Sequence, residues 1–427
     1  MCIAARAGAE GGTFVEHPDG WFWASGQVNT IYQYHPAFPA AYSGDNSFVA
    51  GADSATSVVM TVYGGAVVFP SVEVLGSLEL AAGTGLSSAF GLGGFTDLDV
   101  VRNPTLGTTP YLARALVHAV IPLAGAWLPA ERSALSTLPA LPDHRLDIRA
   151  GKLSTVESFD LNGPASDSHL QFTNWTVCQN GAYDYAADTR GYTVGIIVAY
   201  IGPSFELRLG EMLMPTVANG IDLDTDILHA RGENLELTVR WRSGAARLLG
   251  YWNHARMGSY AEAIAAFRAG IDPRPDIEAH RAEGRTKGGV GLSVEQAFAP
   301  FRAFLRAGWN DGKNESFAYT EVDDTLLLGG DVAGDPWGRP DDRAGLALVT
   351  NGLSADHREY LRLGGKGFLL GDGGLDYGRE LIAEVYYNAH IVQGLYVAGD
   401  AQLVFHPGYN RDRGPVVVLG ARVHLEF

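Results

Sequence analysis

Cysteine and positive charge are both scarce in this 427-residue chain. Its two cysteines, Cys2 and Cys178, are too few for a disulfide framework or a cysteine-rich metal site. The 31 lysine and arginine residues are outnumbered by 48 aspartate and glutamate residues, which gives a formal net charge of −17. This balance argues against nucleic-acid binding, because phosphate contacts need a basic face.

The chain also lacks a long uninterrupted apolar run. Its most apolar stretch, residues 111–129, contains Arg114, His118 and Pro122, whereas a spanning helix needs about 20 mostly apolar residues. The chain is therefore either soluble or crosses a membrane as a β-barrel. Residues 1–6 lack the apolar core of a signal peptide. We expect residues 1–20 to be an N-terminal tail or the remnant of an export segment, and residues 21–427 to be a single transmembrane barrel domain.

Recognisable catalytic motifs are missing too. The sequence has no Gly-x-Ser-x-Gly elbow, no His-Glu-x-x-His pair and no Walker loop. The paired carboxylates Asp323-Asp324 and Asp341-Asp342 are adjacent, so on a strand the members of each pair point to opposite faces and cannot act together as a glycosidase pair. The twelve histidines show no metal-ligand spacing. The sequence therefore predicts no catalytic residue, no cofactor and no metal.

What the sequence does contain is alternation with a period of two. In residues 234–242 the odd positions are Leu, Leu, Val and Trp, while the even positions after Asn234 are Glu, Thr, Arg and Arg. Residues 301–310 and 417–427 show comparable alternation. Each run lasts about ten residues, the length of a tilted membrane-spanning strand. A soluble sandwich alternates in the same way, but some sixteen to eighteen such segments favour a porin-sized barrel.

The connections between these segments come in two sizes. Short ones include Gly202-Pro203 and Ala299-Pro300, and long ones include residues 35–53, 83–110, 125–143, 155–189, 257–285 and 352–379. Residues 260–269 read as a short helix within a long connection. The predicted fold is an all-β, transmembrane antiparallel β-barrel of sixteen strands, with eighteen as the alternative. Short periplasmic turns and long external loops that fold partly into the lumen are expected.

Several stretches resemble the carbohydrate-selective porin family of bacterial outer membranes. They are residues 32–47, 174–195, 256–263, 309–323, 337–342, 351–360, 364–372 and 406–416, together with the C-terminal sequence VHLEF. The resemblance implies a barrel of about sixteen strands in the outer membrane that lets neutral sugars diffuse passively. It also implies that the barrel-assembly machinery reads the terminal Phe427. Residues 116–144, rich in Ala, Leu and Pro, do not match the family closely.

A sugar pore needs polar side chains that replace water on hydroxyl groups, and opposed charges that hinder bulky apolar solutes. Mixed-charge loops and charged strand faces supply the candidates. The candidate pore-lining residues are Asp184, Tyr185, Asp188 and Arg190; Arg339, Asp341 and Asp342; Arg411 and Asp412; and Arg240, Arg242, Arg302 and Arg306 on predicted lumen faces.

Three hypotheses for function follow. The first is an outer-membrane porin for monosaccharides and similar solutes, with a charged constriction. The second is a barrel that serves as a scaffold in a larger assembly, and the third is a secreted soluble all-β glycan-binding protein or hydrolase. For the porin, the expected partners are small neutral sugars, outer-membrane lipid, lipopolysaccharide and the assembly machinery, and a monomer and a trimer both remain open.

Overall fold

The computed structural model describes residue 13, residues 20–101, residue 103 and residues 106–427. Apart from Thr13 and Gly20, the predicted tail over residues 1–20 lies outside the described residues. Sixteen strands close into one barrel. They are β1 (Phe22–His35), β2 (Asp53–Phe69), β3 (Val72–Gly83), β4 (Tyr111–Pro129), β5 (Ala140–Leu153), β6 (Thr193–Ile201), β7 (Phe205–Leu213), β8 (Arg231–Trp241), β9 (Gly244–Gly258), β10 (Arg281–Phe298), β11 (Phe301–Asn310), β12 (Asp324–Gly334), β13 (Arg339–Gly352), β14 (Glu380–Val392), β15 (Leu395–Phe405) and β16 (Val416–Glu426).

Each strand pairs antiparallel with its neighbours in sequence, and β1 pairs with β16 to close the barrel. The closing register runs from Gln27 opposite Glu426 to Tyr34 opposite Leu419. Closure removes the free sheet edges that an open sheet would expose. The predicted sixteen-stranded antiparallel barrel is confirmed.

The two faces of each strand meet different surroundings. On β8, Leu235 and Leu237 are 48% and 40% exposed on the outer face, whereas Glu236 between them is 1% exposed on the lumen face. Leu326, Leu346 and Leu419 on other strands are likewise about half exposed on the outer face, which suits contact with lipid. Alternation therefore predicted correctly which side chains face the lumen.

The connections differ strongly in length at the two ends of the barrel. At one end, here called the short-turn end, most strands are joined by two to four residues: 70–71, 202–204, 242–243, 299–300, 335–338 and 393–394. At the other, the long-loop end, the connections are residues 36–52, 84–110, 154–192, 214–230, 259–280, 311–323, 353–379 and 406–415. The connection of residues 130–139 is the exception at the short-turn end, because ten residues join β4 to β5 there.

Helices among the described residues lie in these connections. They are α1 (Trp175–Cys178), α2 (Tyr260–Arg268) and α3 (Ala355–Arg362), with 3₁₀ turns at Leu86–Ala89, Thr155–Glu157, Glu278–His280, Asp335–Trp337 and Pro407–Tyr409. The helix predicted over residues 260–269 is confirmed as α2. None of the described helices is long and apolar enough to cross a membrane.

The strand β12 begins only at Asp324, after the connection of residues 311–323. The residues before it form a loop, because the carboxylate of Asp184 accepts the backbone N–H groups of Phe317 and Ala318 at 2.9–3.0 Å. Those donors are therefore turned away from any strand partner.

The core of the molecule lies inside the barrel. The long connection of residues 154–192 folds inward from β5 and crosses the lumen, and nearly all of its side chains are buried. Arg306 on β11 donates to the carbonyl oxygens of Val177 and Cys178, and Arg422 on β16 donates to those of Ser168 and Gln171, all at 2.7–2.9 Å. The lumen wall thus supplies donors for loop carbonyls that have no strand partner.

Candidate functional site

Space inside the lumen lies along the wall built by β1 to β4. Two adjoining cavities of about 200 and about 50 Å³ lie toward the long-loop end, and Asp99 and Arg190 line both. Tyr111 lines the larger of the two, and Glu79 lines the smaller. We call these two the outer cavities.

The Arg190 side chain is held in place by its own loop. The carboxylate of Asp188 accepts the backbone N–H groups of Arg190 and Tyr192 at 2.9 and 3.1 Å. Gly191 between them has a φ of +87°, a conformation that favours glycine. This turn places the Arg190 guanidinium over the Tyr111 ring, 3.8 Å from its centroid. The contact is a cation–π interaction at the edge of an open space.

Aromatic side chains form part of the smaller outer cavity. Trp175 and Tyr319 stack with centroids 5.3 Å apart and an interplanar angle of 5°, and Tyr185 packs against Tyr319 at 5.1 Å. All three line the cavity. Flat rings with a few charged groups beside them are typical of sites that hold polar ligands with an apolar face.

A third space, the inner cavity, lies toward the short-turn end. It measures about 310 Å³, and its wall includes Trp23, Gln27 and Tyr63 from β1 and β2. His169 and Asp167 of the crossing loop also line it. The inner cavity is therefore bounded by the barrel wall on one side and by the crossing loop on the other.

One ion pair stands between the outer cavities and the inner cavity. His169 Nε2 lies 3.2 Å from Asp99 Oδ1, and each residue lines the cavity on its own side. Asn29 Nδ2 donates to Asp99 Oδ2 at 2.6 Å, which fixes the carboxylate against β1. The Asp99–His169 pair therefore separates the outer cavities from the inner cavity.

The electrostatics of the pair favour its charged form. Burial opposes ionisation of Asp99, but the charge and hydrogen bond of His169 outweigh it and lower the pKa of Asp99. Burial likewise opposes protonation of His169, but Asp99 raises the pKa of His169 above its usual value. The neighbouring Asp97 has a raised pKa, because of its burial and because of the Asp99 charge. The boundary between the cavities therefore carries an ion pair, with a second carboxyl group, that of Asp97, whose ionisation is suppressed.

Four of the residues predicted from sequence lie in one loop near the long-loop end. Arg190 lines both outer cavities, and Tyr185 and Asp188 line the smaller one. Burial raises the pKa of Asp188. Asp184 instead accepts loop N–H groups and lies 3.3 Å from the fully buried Lys287 Nζ, so its contacts are structural.

Two further predicted residues, Arg411 and Asp412, are exposed in the connection between β15 and β16. Arg411 lies 3.9 Å from Asp376.

The remaining predicted residues lie on β8, β11 and β13 or in the adjoining turn. Arg306 is fully buried against the crossing loop. The others gather at the short-turn end. Three arginines there form ion pairs: Arg240 with Glu206, Arg302 with Asp331, and Arg339 with Asp342. Asp341 lies 3.6 Å from His390. Arg242 is exposed in the turn of residues 242–243. The structure thus distributes the predicted set over both ends of the lumen and does not bring it together at one constriction.

Sequence reasoning missed several residues along the path. Tyr63 and Glu79 face the lumen from strands with alternating sequences, so the alternation could have predicted that their side chains point inward. Asp99 and His169 lie in loops without periodicity, and nothing local in the sequence brings them together. Their pairing depends on how two long connections cross inside the barrel.

Comparison with protein families gives a match over residues 133–427 with the carbohydrate-selective porin, OprB family. The chain belongs to this family. It is therefore a porin of the bacterial outer membrane, as the resemblance of its short motifs predicted. The matched range begins just before β5, so β1 to β4 lie outside it. A comparison with curated protein sequences gave no match.

Solved porin structures share the fold of this OprB-family chain. The high-pH structure of Pseudomonas putida OprB superposes with a TM-score of 0.70 at 15% identity, over 95% of this chain and 94% of that one. In-vitro folded OmpT of Vibrio cholerae, in its trimer form, gives a TM-score of 0.50 at 10% identity, over 95% of this chain and 99% of that one. At these identities the likeness is one of fold.

Proposed function

We propose that small neutral sugars diffuse passively through this porin along the wall of β1 to β4. A solute passes the outer cavities, the Asp99–His169 pair and the inner cavity in that order. The observation that carries the proposal is the set of groups at the outer cavities, where Arg190 lies on Tyr111 beside the stacked Trp175 and Tyr319. Charged side chains exchange hydrogen bonds with hydroxyl groups, and the flat rings cover the apolar face of a sugar ring.

Charge at the outer cavities favours neutral solutes over anions. Three carboxyl groups, those of Glu79, Asp99 and Asp188, line the smaller outer cavity with one guanidinium, that of Arg190, and only Asp99 is also paired with His169. An excess of carboxylate repels anionic solutes at short range. Hydroxyl groups both donate and accept, so a sugar can bind the acids and the arginine in turn. No chemical step is part of this proposal, since transport by diffusion needs only weak, reversible binding.

The proposed surroundings of the barrel follow from the same assignment. We propose that the short-turn end, where both ends of the barrel domain lie, faces the periplasm, and that outer-membrane lipid and lipopolysaccharide cover the apolar outer face. Phe427 would be read by the barrel-assembly machinery. A monomer and a trimer both fit the barrel.

The test is single-channel conductance in a planar bilayer with glucose as the added solute. We expect stable current steps that fall as glucose is added, and about a fivefold weaker glucose effect for Arg190→Gln, since a hydrogen bond to a charged group is lost. Arg411→Gln is the matched control, because Arg411 is an exposed arginine away from the cavities. Folded, inserted protein without current steps would contradict the proposal and favour the scaffold hypothesis. An equal effect of both substitutions would contradict the assigned path.

A further inference from the structure

The hairpin of β4 and β5 continues beyond the barrel wall at the short-turn end. Pairing between β3 and β4 stops at Val72 opposite Ala119, but pairing between β4 and β5 goes on to Pro129 opposite Ala140. On the other side, β5 pairs with β6 only from Arg145. The outer part of this hairpin therefore has no strand neighbour among the described residues.

This outer part bends. The pairing register shifts between Pro122 and Ala124 and again between Ala124 and Trp127. Gly125 at the bend has a φ of +82°, and a Cβ there would lie 1.8 Å from Asp143 Oδ1. The positive φ favours glycine here, and a larger residue would also have to displace the Asp143 carboxylate. The bend turns the connection of residues 130–139 back toward the barrel.

The returned connection docks on the lumen side of β3. We call residues 131–138 the tip segment. Glu73 accepts the backbone N–H of Thr137 at 2.6 Å, the Thr137 hydroxyl at 2.5 Å and the Ser136 hydroxyl at 2.8 Å. Thr137 and Leu138 are fully buried. A carboxylate that accepts three hydrogen bonds from one segment is a strong anchor, because charge-assisted hydrogen bonds are the stronger class.

Further contacts hold the tip segment on both sides. Arg132 Nη2 donates to the carbonyl oxygen of Phe22 at 2.9 Å, and Arg149 Nη1 donates to that of Leu135 at 2.8 Å. Four members of the segment, residues 131–134, line the inner cavity opposite Gln27 and His169. The tip segment is thus a wall of the inner cavity at the end where a solute leaves it.

We propose that the tip segment narrows the short-turn end of the permeation path and sets the largest sugar that can pass. The inference rests on the proposed sugar path. It assigns size selection to the connection between β4 and β5, which lies at the end of the barrel where connections are usually short turns. The Asp99–His169 pair lies deeper in the lumen, between the inner and the outer cavities, so the proposed size limit and this ion pair are at separate places.

The first experiment removes the tip segment. Replacing residues 122–145 by Asn-Gly joins Ile121 to Leu146, which already face each other across the hairpin, through a two-residue turn. Asp147 keeps Arg149 as an ion-pair partner. We expect conductance to rise about twofold or more, and trisaccharides that wild-type protein excludes to enter proteoliposomes in a swelling assay. Unchanged conductance and an unchanged size limit in the folded variant would overturn the inference.

A cysteine pair tests the position of the tip segment without deleting anything. A Cβ at Gly65 would lie 2.5 Å from Thr137 Cγ2 and 3.2 Å from Thr137 Oγ1. In a disulfide the Cβ of one cysteine lies about 3 Å from the sulfur of the other. The oxidised Gly65→Cys, Thr137→Cys variant is therefore expected to keep wild-type conductance and size limit. Loss of conductance that recovers on reduction would overturn the inference, because the segment would then have to leave its dock for the path to conduct.

A milder pair of variants isolates the anchor. Thr137→Val keeps the shape but removes one hydrogen bond to Glu73, whereas Thr137→Ser keeps it. We expect Thr137→Val to raise the trisaccharide swelling rate and Thr137→Ser to restore the wild-type rate. Equal rates in all three proteins would count against the anchoring role of Glu73. If wild-type current were insensitive to glucose, the proposed path would fail, whatever the variants did.

Discussion

Two sides of the lumen contain the same types of charged residue, but on one side these residues hold a loop and on the other they line cavities. On the side of β8 to β16, arginines and carboxylates are buried against the crossing loop, and Arg306 alone donates to the carbonyls of Val177, Cys178 and Asp160 and to the Ser166 hydroxyl. On the side of β1 to β4, charged groups border open cavities. We call the first the packed side and the second the cavity side. A charge that faces the lumen is therefore not by itself a pore residue.

The largest expected effect is on the packed side. Arg306→Met would leave Asp160, whose carboxylate lies 3.2 Å from Arg306 Nε, buried without its main partner. Breaking a buried pair by removing one partner costs roughly 3–5 kcal/mol. We expect the crossing loop to loosen, with noisy current and rapid proteolysis within residues 154–192 of the folded barrel.

The control for this variant is Arg302→Met on the same strand. Its partner Asp331 keeps a second arginine, Arg343, at 3.3 Å. Limited proteolysis should therefore distinguish the two arginines, although both face the lumen. Equal protection of the loop in both variants would show that Arg306 does not hold it.

On the cavity side we expect a smaller change, in selectivity. Glu79→Gln removes one carboxylate from the wall of the smaller outer cavity and leaves the Asp99–His169 pair intact. The ratio of cation to anion permeability, measured as a reversal potential in a salt gradient, should fall about twofold. Asp376→Asn is the control, because Asp376 is exposed beside Arg411 and away from the cavities. A fall of the same size in both would place the selective charge elsewhere.

The two sides also show how far sequence reasoning reaches. The alternation of apolar and polar residues identified the lumen faces of the strands, because one side chain contacts lipid and the next contacts the polar loops inside the barrel. It placed Arg302 and Arg306 on one face correctly, but it could not tell that Arg306 is fully buried while the Arg302 side chain stays 23% exposed. That difference depends on the course of residues 154–192, which is set by contacts between residues far apart in sequence. The docking of the tip segment on β3 could not be predicted for the same reason.

Titration offers a milder way to loosen the packed side. His357 on α3 lies 3.0 Å from Asp323, and although burial opposes its charge, Asp323 raises the pKa of His357 to about 9. With an unfolded value near 6.5, this stabilisation is complete below pH 6.5 and is lost as pH rises to about 9, by about 3 kcal/mol at most. Amide exchange of α3 should therefore accelerate between pH 7 and 10 beyond its intrinsic increase. His357→Gln should remove that excess, and an excess that survives the substitution would exclude His357 as its source.

The smallest effect is expected from removing the side-chain cap at the start of α3. The Ser354 hydroxyl accepts the backbone N–H of His357 at 3.2 Å and donates to the carbonyl oxygen of Gly312 at 2.7 Å, so it ties α3 to the connection before β12. Ser354→Ala should cost about 1 kcal/mol of local stability, seen as faster amide exchange in the first turn of α3 with unchanged conductance. Ser259 stands at the same position of α2 but makes no capping hydrogen bond through its side chain. Ser259→Ala should therefore leave exchange in α2 unchanged, and a matching loss in both helices would mean that the Ser354 hydroxyl does not stabilise the packed side. A change in conductance for Ser354→Ala would instead mean that the packed side and the cavity side are coupled through α3.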